Sequence, residues 1–281
     1  MEQLVFDLSG DISVFQSNSL AMAKYDMSSL EQKVFLILVA TIKKEDKEFK
    51  NTVFKIVDLA ELMGVSPQML YRDLKKLSKS IVSKSIEIKS ENGDWDIINI
   101  VSSAKYRSNN GTIELKINKD AEPYLLQLQK LFTSFKLENA LNLDGKYAIR
   151  IYQQAKSNIF SGGTYLLELE EFKNQLKLTQ KSYQQFSNIN LKVLTPAINE
   201  INEKTDIDIQ VEPKKIGKKV VALKFQARNK DKQKVILKSN QKTSKGNYTS
   251  NNSKLLGKAE MSNDRYNEIL DHERALLGLD K

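Results

Sequence analysis

The chain has 281 residues, 40% of them hydrophobic, with 44 Lys plus Arg against 35 Asp plus Glu and a formal net charge of +9. That is enough apolar material for two cores, and the basic balance favours an anionic partner such as nucleic acid. Cysteine is absent and the one histidine is His272, so disulfides, thiol catalysis and a Cys/His zinc site are excluded.

The start, MEQLVFDLSGDIS, lacks the basic end and apolar centre of a signal peptide. No apolar run approaches the roughly 20 residues that span a bilayer. The expectation is a cytoplasmic protein without membrane contact. SSLEQKVFLILVATI (28–42) predicts a Ser-capped amphipathic helix, and TVFKI a short apolar stretch after it. VDLAELMGVS predicts a short helix closed by Gly64. Ser66 caps the next helix, and Pro67 suits its first position, where no backbone N–H is needed. Leu70, Leu74, Leu77 and Ile81, at steps of four, three and four, predict its buried stripe. SIEIKS, WDIINIVSSAKY and TIELKI then read as strands, separated by the turn signals ENGD and RSNNG. Three helices followed by hairpin strands predict a winged helix-turn-helix.

A shift of 113 positions repeats the pattern. It carries Leu30, Val34 and Leu38 onto Leu143, Tyr147 and Ile151, and Leu59, Val65, Ser66 and Leu70 onto Phe172, Leu178, Thr179 and Tyr183. The second copy also ends in hairpin sequence, DIDIQVEP and VVALKFQA around KKIGKK. The predicted fold is α+β: two tandem winged helix-turn-helix domains with a flexible basic C-terminal tail. Residues 1–135 form the first domain, closed by a helix in KDAEPYLLQLQKLF, and 136–228 the second. Residues 229–281 are the Lys-, Asn- and Ser-rich tail, with an amphipathic helix at its end through Tyr266, Ile269, Leu270 and Leu277.

With its stripe inward, the third helix of the first domain turns Gln68, Tyr71, Arg72, Lys75, Lys76 and Lys79 outward. Lys and Arg suit phosphate oxygens. In the second domain, Phe186, Val193, Ala197 and Ile201 mark the buried side of the equivalent helix. Its first turns expose Lys181, Ser182, Gln184, Gln185, Asn188 and Lys192, and Pro196 bends it near Thr195. Amides pair bidentately with adenine, so the second domain is the expected base reader and the first holds the backbone. At the wing tips Lys105 and Arg107, and Lys214, Lys215, Lys218 and Lys219, are placed for flanking phosphates. A solvated polar face explains any one such helix equally well; the helix-turn-helix context and its repetition favour DNA.

No catalytic residues, metal ligands or cofactor are expected. There is no GxxxxGK[ST] or HExxH, and the pairs Asp94/Asp96 and Asp206/Asp208 lie beside turns or strand starts. A Tyr nucleophile assisted by a His-held metal lacks its ligands.

NSLAMAKYDMSSLEQKVFLILVATI resembles the opening of the RepB-type plasmid replication initiators through Asn18, Leu20, Ala23, Tyr25, Glu31, Gln32 and Lys33, with Met27 in place of the usual Leu. LKVLTPAINEINEKTDIDI resembles their second signature through Leu191, Lys192, Val193, Leu194, Pro196, Ala197, Glu200, Ile201 and Asn202. KYAIRIYQQAKS resembles the helix that starts their second domain, and the likeness spans about residues 12–228. It implies an initiator that binds double-stranded origin repeats, called iterons, and recruits the host initiator and helicase. It also implies homodimers through the N-terminal domain that act on an operator to repress the protein's own gene. A winged-helix transcriptional regulator and a protein-docking scaffold are the alternatives.

Overall fold

Ser28 opens the first long helix with a reciprocal cap. Its hydroxyl accepts from the Glu31 amide, and the Glu31 carboxylate accepts from the Ser28 amide. The computed structural model describes residues 4–5, 12–43, 46–89, 93–126, 128 and 132–230. The chain divides into two compact units. One runs to Ser157 and includes Gln175–Lys177; the other holds Asn158–Asn174 and the chain from Leu178 onward.

In chain order the first unit contains β1 (Leu4–Val5), β2 (Ser13–Ser17), α1 (Asn18–Ala21), α2 (Ser29–Ala40), β3 (Thr52–Lys55), α3 (Ile56–Leu62) and α4 (Pro67–Ser83). It continues with β4 (Ser85–Lys89), β5 (Trp95–Asn99), β6 (Val101–Arg107), β7 (Thr112–Ile117), α5 (Glu122–Leu125), β8 (Phe132–Lys136), α6 (Leu137–Leu141) and nearly all of α7 (Lys146–Ile159). The strands form one sheet in the order β1-β3-β7-β6 and two separate pairs, β2-β8 and β4-β5. WDIINIVSSAKY, read as one strand, is therefore two, because β5 pairs with β4 while β6 pairs with β7.

The expected amphipathic character of α2 does not hold. Every residue from Glu31 to Ala40 is buried, because β2, α4 and α6 pack around it. The Lys33 ammonium is accommodated there by donating to the Met63 carbonyl at 3.3 Å. The helix-turn-helix follows the sequence closely. Gly64 takes φ +67°, the Ser66 hydroxyl accepts from the Met69 amide at 3.2 Å, and Leu70, Leu74, Leu77 and Ile81 are buried.

The domain boundary expected at 135/136 differs from the division between the units, which falls at Ser157. Of the helix expected over 119–132, the described residues form a 3₁₀ turn at Lys119–Ala121 and the single turn α5, and Phe132 opens strand β8. β8 pairs antiparallel with β2, from Ser13 opposite Lys136 to Ser17 opposite Phe132, and α6 packs on α2. From α7, Gln153 accepts from the Gln16 amide at 3.1 Å. Arg150, also on α7, donates to the carbonyls of Ala21 and Ala23 and to the Tyr25 hydroxyl. β8, α6 and α7 copy β2, α1 and α2 in order, yet they are held by the unit they copy.

The second unit follows with β9 (Thr164–Glu168), α8 (Leu169–Gln175), α9 (Phe186–Ile189), α10 (Thr195–Lys204), β10 (Ile207–Ile216) and β11 (Lys219–Asn229). The shift of 113 carries α3 onto α8 residue for residue. The sheet order is β10-β11-β9. Its core stacks Tyr165 on Phe225, ring centroids 4.9 Å apart, with Phe172 beside Phe225 at 6.0 Å. Gly163 has φ +74°, and a Cβ there would lie 2.0 Å from the Ala227 carbonyl oxygen, so the start of β9 can approach β11 only as glycine. The first residues of the tail expected from 229 belong to the fold. Asn229 ends β11, and the Lys230 ammonium donates to the carbonyls of Asn202 and Thr205. The rest of that tail, with the predicted helix through Tyr266, Ile269, Leu270 and Leu277, lies outside the described residues. Among the described residues no helix is long and apolar enough to cross a membrane.

Candidate nucleic-acid interface

Burial of the Leu stripe of α4 fixes its outer face. Gln68, Tyr71, Arg72, Lys75, Lys76 and Lys79 are all exposed, as expected. Not all of their charge is equally available. Arg72 donates to both carboxylate oxygens of Asp73, at 3.1 and 2.9 Å. That hydrogen bond raises the guanidinium pKa and holds the Asp73 carboxyl below its usual range. Lys75, Lys76 and Lys79 carry most of the positive face.

The wing is the hairpin β6–β7. Lys105 and Arg107 are exposed near its end, and the Lys105 ammonium lies 3.7 Å from Glu114. Its turn closes at Gly111, φ +58°, and the Tyr71 hydroxyl lies 2.7 Å from where a Gly111 Cβ would stand. The helix thus touches the tip of its own wing. Between α4 and β6 runs a groove of about 840 Å³, lined by Tyr71, Leu74, Lys75 and Lys79 on one side and by Ser102, Ala104 and Tyr106 on the other. Sequence reasoning passes over Tyr106, which is 46% exposed. Strand alternation gives it a face but not the helix that faces it.

In the second unit the expected long helix begins later than its first expected turns, which hold Lys181 to Gln185. Lys181–Gln184 is a 3₁₀ turn that buries Tyr183, Gln185 is extended, and the helix starts at Phe186. Phe186 is only half-buried; Ile189 takes the fully buried place. Lys181, Ser182 and Gln184 therefore sit on the 3₁₀ turn, Gln185 at the N-cap, and only Asn188 and Lys192 on the helix. Lys181, Gln184, Gln185 and Lys192 are exposed, and Ser182 and Asn188 are half-buried. The Asn188 amide donates to the Ser182 carbonyl at 2.8 Å and ties the turn to the helix.

Pro196 acts upstream of the expected bend. Residues Asn190–Leu194 form a π-helical segment, which absorbs the proline's missing donor and its clash with the carbonyl four residues before it. The widened turn leaves Leu191 68% exposed, between buried Ile189 and Val193. From Phe172 to Asn199 there is no Asp or Glu, against four Lys.

The second wing joins β10 to β11 through Gly217, φ +57°, and Lys218. Lys215, Lys218 and Lys219 are exposed. Lys214 is half-buried and donates to the Glu212 carboxylate at 2.6 Å, which holds that carboxyl below its usual range. The first unit thus presents a lysine-rich helix face against a basic hairpin, and the second an amide-rich helix start and a basic hairpin. In winged-helix proteins this arrangement lets the helix enter a groove while the wing meets the phosphates. Among the described residues no cluster of carboxylates and imidazoles has the makings of a metal site.

Known proteins agree with this architecture. The family model described as initiator replication protein, WH1, matches residues 13–156, and that of WH2 matches residues 168–227. A replication initiation protein of Escherichia coli is 28% identical over 225 residues, covering 77% of this chain and 69% of its own length. The PI protein of Escherichia coli is 24% identical over 259 residues, covering 80% of this chain and 85% of its own. A solved structure of the Pi initiator protein in complex with iteron DNA superposes with a TM-score of 0.63 at 23% identity, over 80% of this chain and all of that one. The two family matches meet the chain in order and cover both winged-helix units: the chain belongs to the initiator replication protein family.

Proposed function

We propose that this protein initiates plasmid replication by binding repeated double-stranded DNA sites, iterons, at an origin. The observation that carries the reading is the duplicated winged helix, one copy with a polar, lysine-rich helix face and the other with an amide-rich helix start, each with a basic hairpin, in a chain of the initiator family. The Pi initiator protein with its iteron DNA supports it. The two helices divide the work. Lys75, Lys76 and Lys79, with Lys105 and Arg107, hold phosphates in the first unit. Gln184 and Gln185 read base edges in the second, flanked by Lys181, Lys192, Lys215, Lys218 and Lys219. Ser182 and Asn188 position that turn. No catalytic step is assigned to the chain, and its place of action is the cytoplasm.

A second copy is met through the N-terminal unit. In support, β5 pairs only with β4 among the described residues and exposes Trp95 and Ile97, at 63% and 56%. An open strand edge with apolar side chains is a template for pairing. Such a dimer would suit repression at an operator.

The test supplies the full chain in trans to a plasmid carrying only the origin, with footprinting of the same origin. Plasmid maintenance with protection over about two helical turns of each repeat is expected. Binding without maintenance would instead favour a transcriptional regulator.

A further inference from the structure

Leu191 is an apolar side chain with no place in the core of its own helix. The buried stripe runs Ile189, Val193, Ala197 and Ile201, and Leu191 stands on the opposite side, 68% exposed. Ser187 and Asn188 precede it by four and three residues, and Lys192 and Thr195 follow it, so polar groups surround it on the outward face. The stretch around it, from Phe172 to Asn199, has no acidic residue. Of its lysines, Lys181 and Lys192 are exposed in this unit, while Lys173 pairs with Glu170 at 2.7 Å and Lys177 lies 3.9 Å from Glu87. The occupant of this face is therefore polyanionic overall, yet has one apolar feature at its centre. The edge of a thymine in the major groove fits both demands. Its C5 methyl is the one apolar group among the base-edge patterns there, and phosphates flank it on both strands.

We infer that Leu191 reads the methyl group of a thymine in the bound site and is a specificity-determining residue of the second unit. The inference rests on the reading that this helix enters the major groove of double-stranded DNA. Gln184 and Gln185 supply hydrogen-bonding contacts at the helix start, and Leu191, a turn or more further in, supplies an apolar one. The π-helical turn makes that contact possible, since the extra residue it accommodates sets Leu191 away from the stripe.

The test uses the full chain and duplexes selected from a random-sequence pool by the wild-type protein. In the enriched site each thymine is replaced in turn by deoxyuridine, which lacks only the methyl. At one or two positions wild-type binding should weaken about fourfold per methyl lost. Leu191→Ala, an exposed change to a better helix former, should keep the melting temperature, the affinity for random DNA and the salt dependence. It should bind the thymine site more weakly and no longer distinguish it from the uridine site at those positions. A selected site that tolerates uridine everywhere overturns the inference while leaving iteron binding standing. So does a Leu191→Ala protein that responds to uridine as the wild type does. Leu191→Ala that binds DNA normally but loses self-association would assign the residue to contact with a second copy. If no sequence is enriched at all, the groove-reading helix fails and Leu191 falls with it.

Discussion

Replacing Glu212 with Gln should make the protein bind DNA more tightly. In the second wing the Lys214 ammonium is held 2.6 Å from the Glu212 carboxylate, two residues back on the same strand, while Lys215, Lys218 and Lys219 stand exposed beside it. A lysine in such a pair brings little net charge to a phosphate. Gln has the size of Glu and still accepts from Lys214, but it carries no charge, so Lys214 can neutralise one more phosphate. Each neutralised phosphate steepens the dependence of log K on log salt by about 0.9. Extrapolated from 1 M salt, that amounts to about fivefold in affinity at about 0.15 M. The assay is fluorescence anisotropy with a labelled duplex, titrated at several salt concentrations between about 0.05 and 0.3 M. Glu212→Gln should gain on iteron and random duplexes alike, because phosphates carry no sequence. The reverse change, Lys214→Gln, leaves an unpaired carboxylate at the wing and should weaken both. An unchanged slope and affinity for Glu212→Gln would show that this wing does not follow the phosphate backbone.

Two further outcomes concern the scaffold. Ser66→Ala removes the hydroxyl that accepts from the Met69 amide and should cost about 1 kcal/mol, lowering the melting temperature by about 2–4 °C, whereas Ser66→Asp should retain the cap. Gly163→Ala puts a Cβ 2.0 Å from the Ala227 carbonyl oxygen at a positive φ, so β9 must move off β11. A loss of more than about 2 kcal/mol in urea unfolding is expected, and near-wild-type stability would contradict the close approach.

The parts of this fold that were legible in sequence are those fixed by local chemistry. Ser66, Pro67 and the Leu70–Ile81 stripe define α4, because caps and helical spacing act within a few residues. The shift of 113 finds α8 for the same reason. What was not legible depends on partners distant in the chain. Nothing near residue 132 announces a strand that pairs with β2, and nothing in SSLEQKVFLILVATI says that three elements will enclose it. At the candidate interface the six outward residues of α4 follow from its stripe. The second helix was harder. Thr179 mimics a cap at the position matching Ser66, but burial of Tyr183 gives a 3₁₀ turn and postpones the helix to Phe186. That moves Gln184 and Gln185 from a helix face to its threshold, and gives the Asn188 amide a hydrogen bond to the Ser182 carbonyl.

The pairing of β2 with β8 also sets a schedule for biosynthesis. Ser13 meets Lys136 and Ser17 meets Phe132, so roughly 120 residues must be synthesised after β2 before its partner exists. At about 5–20 residues per second, β2 waits about 6–24 s for that partner. Throughout that interval α2, nearly all of whose residues end up buried, lacks the α6 that covers one of its sides. The first unit therefore cannot be completed as an autonomous head during translation. It closes only when the opening of the second repeat has been made. A ribosome that stalls or a transcript that ends between the two repeats releases a first winged helix with an unpaired strand and an uncovered apolar helix. Such a fragment would expose apolar surface of the kind on which chaperones and proteases act.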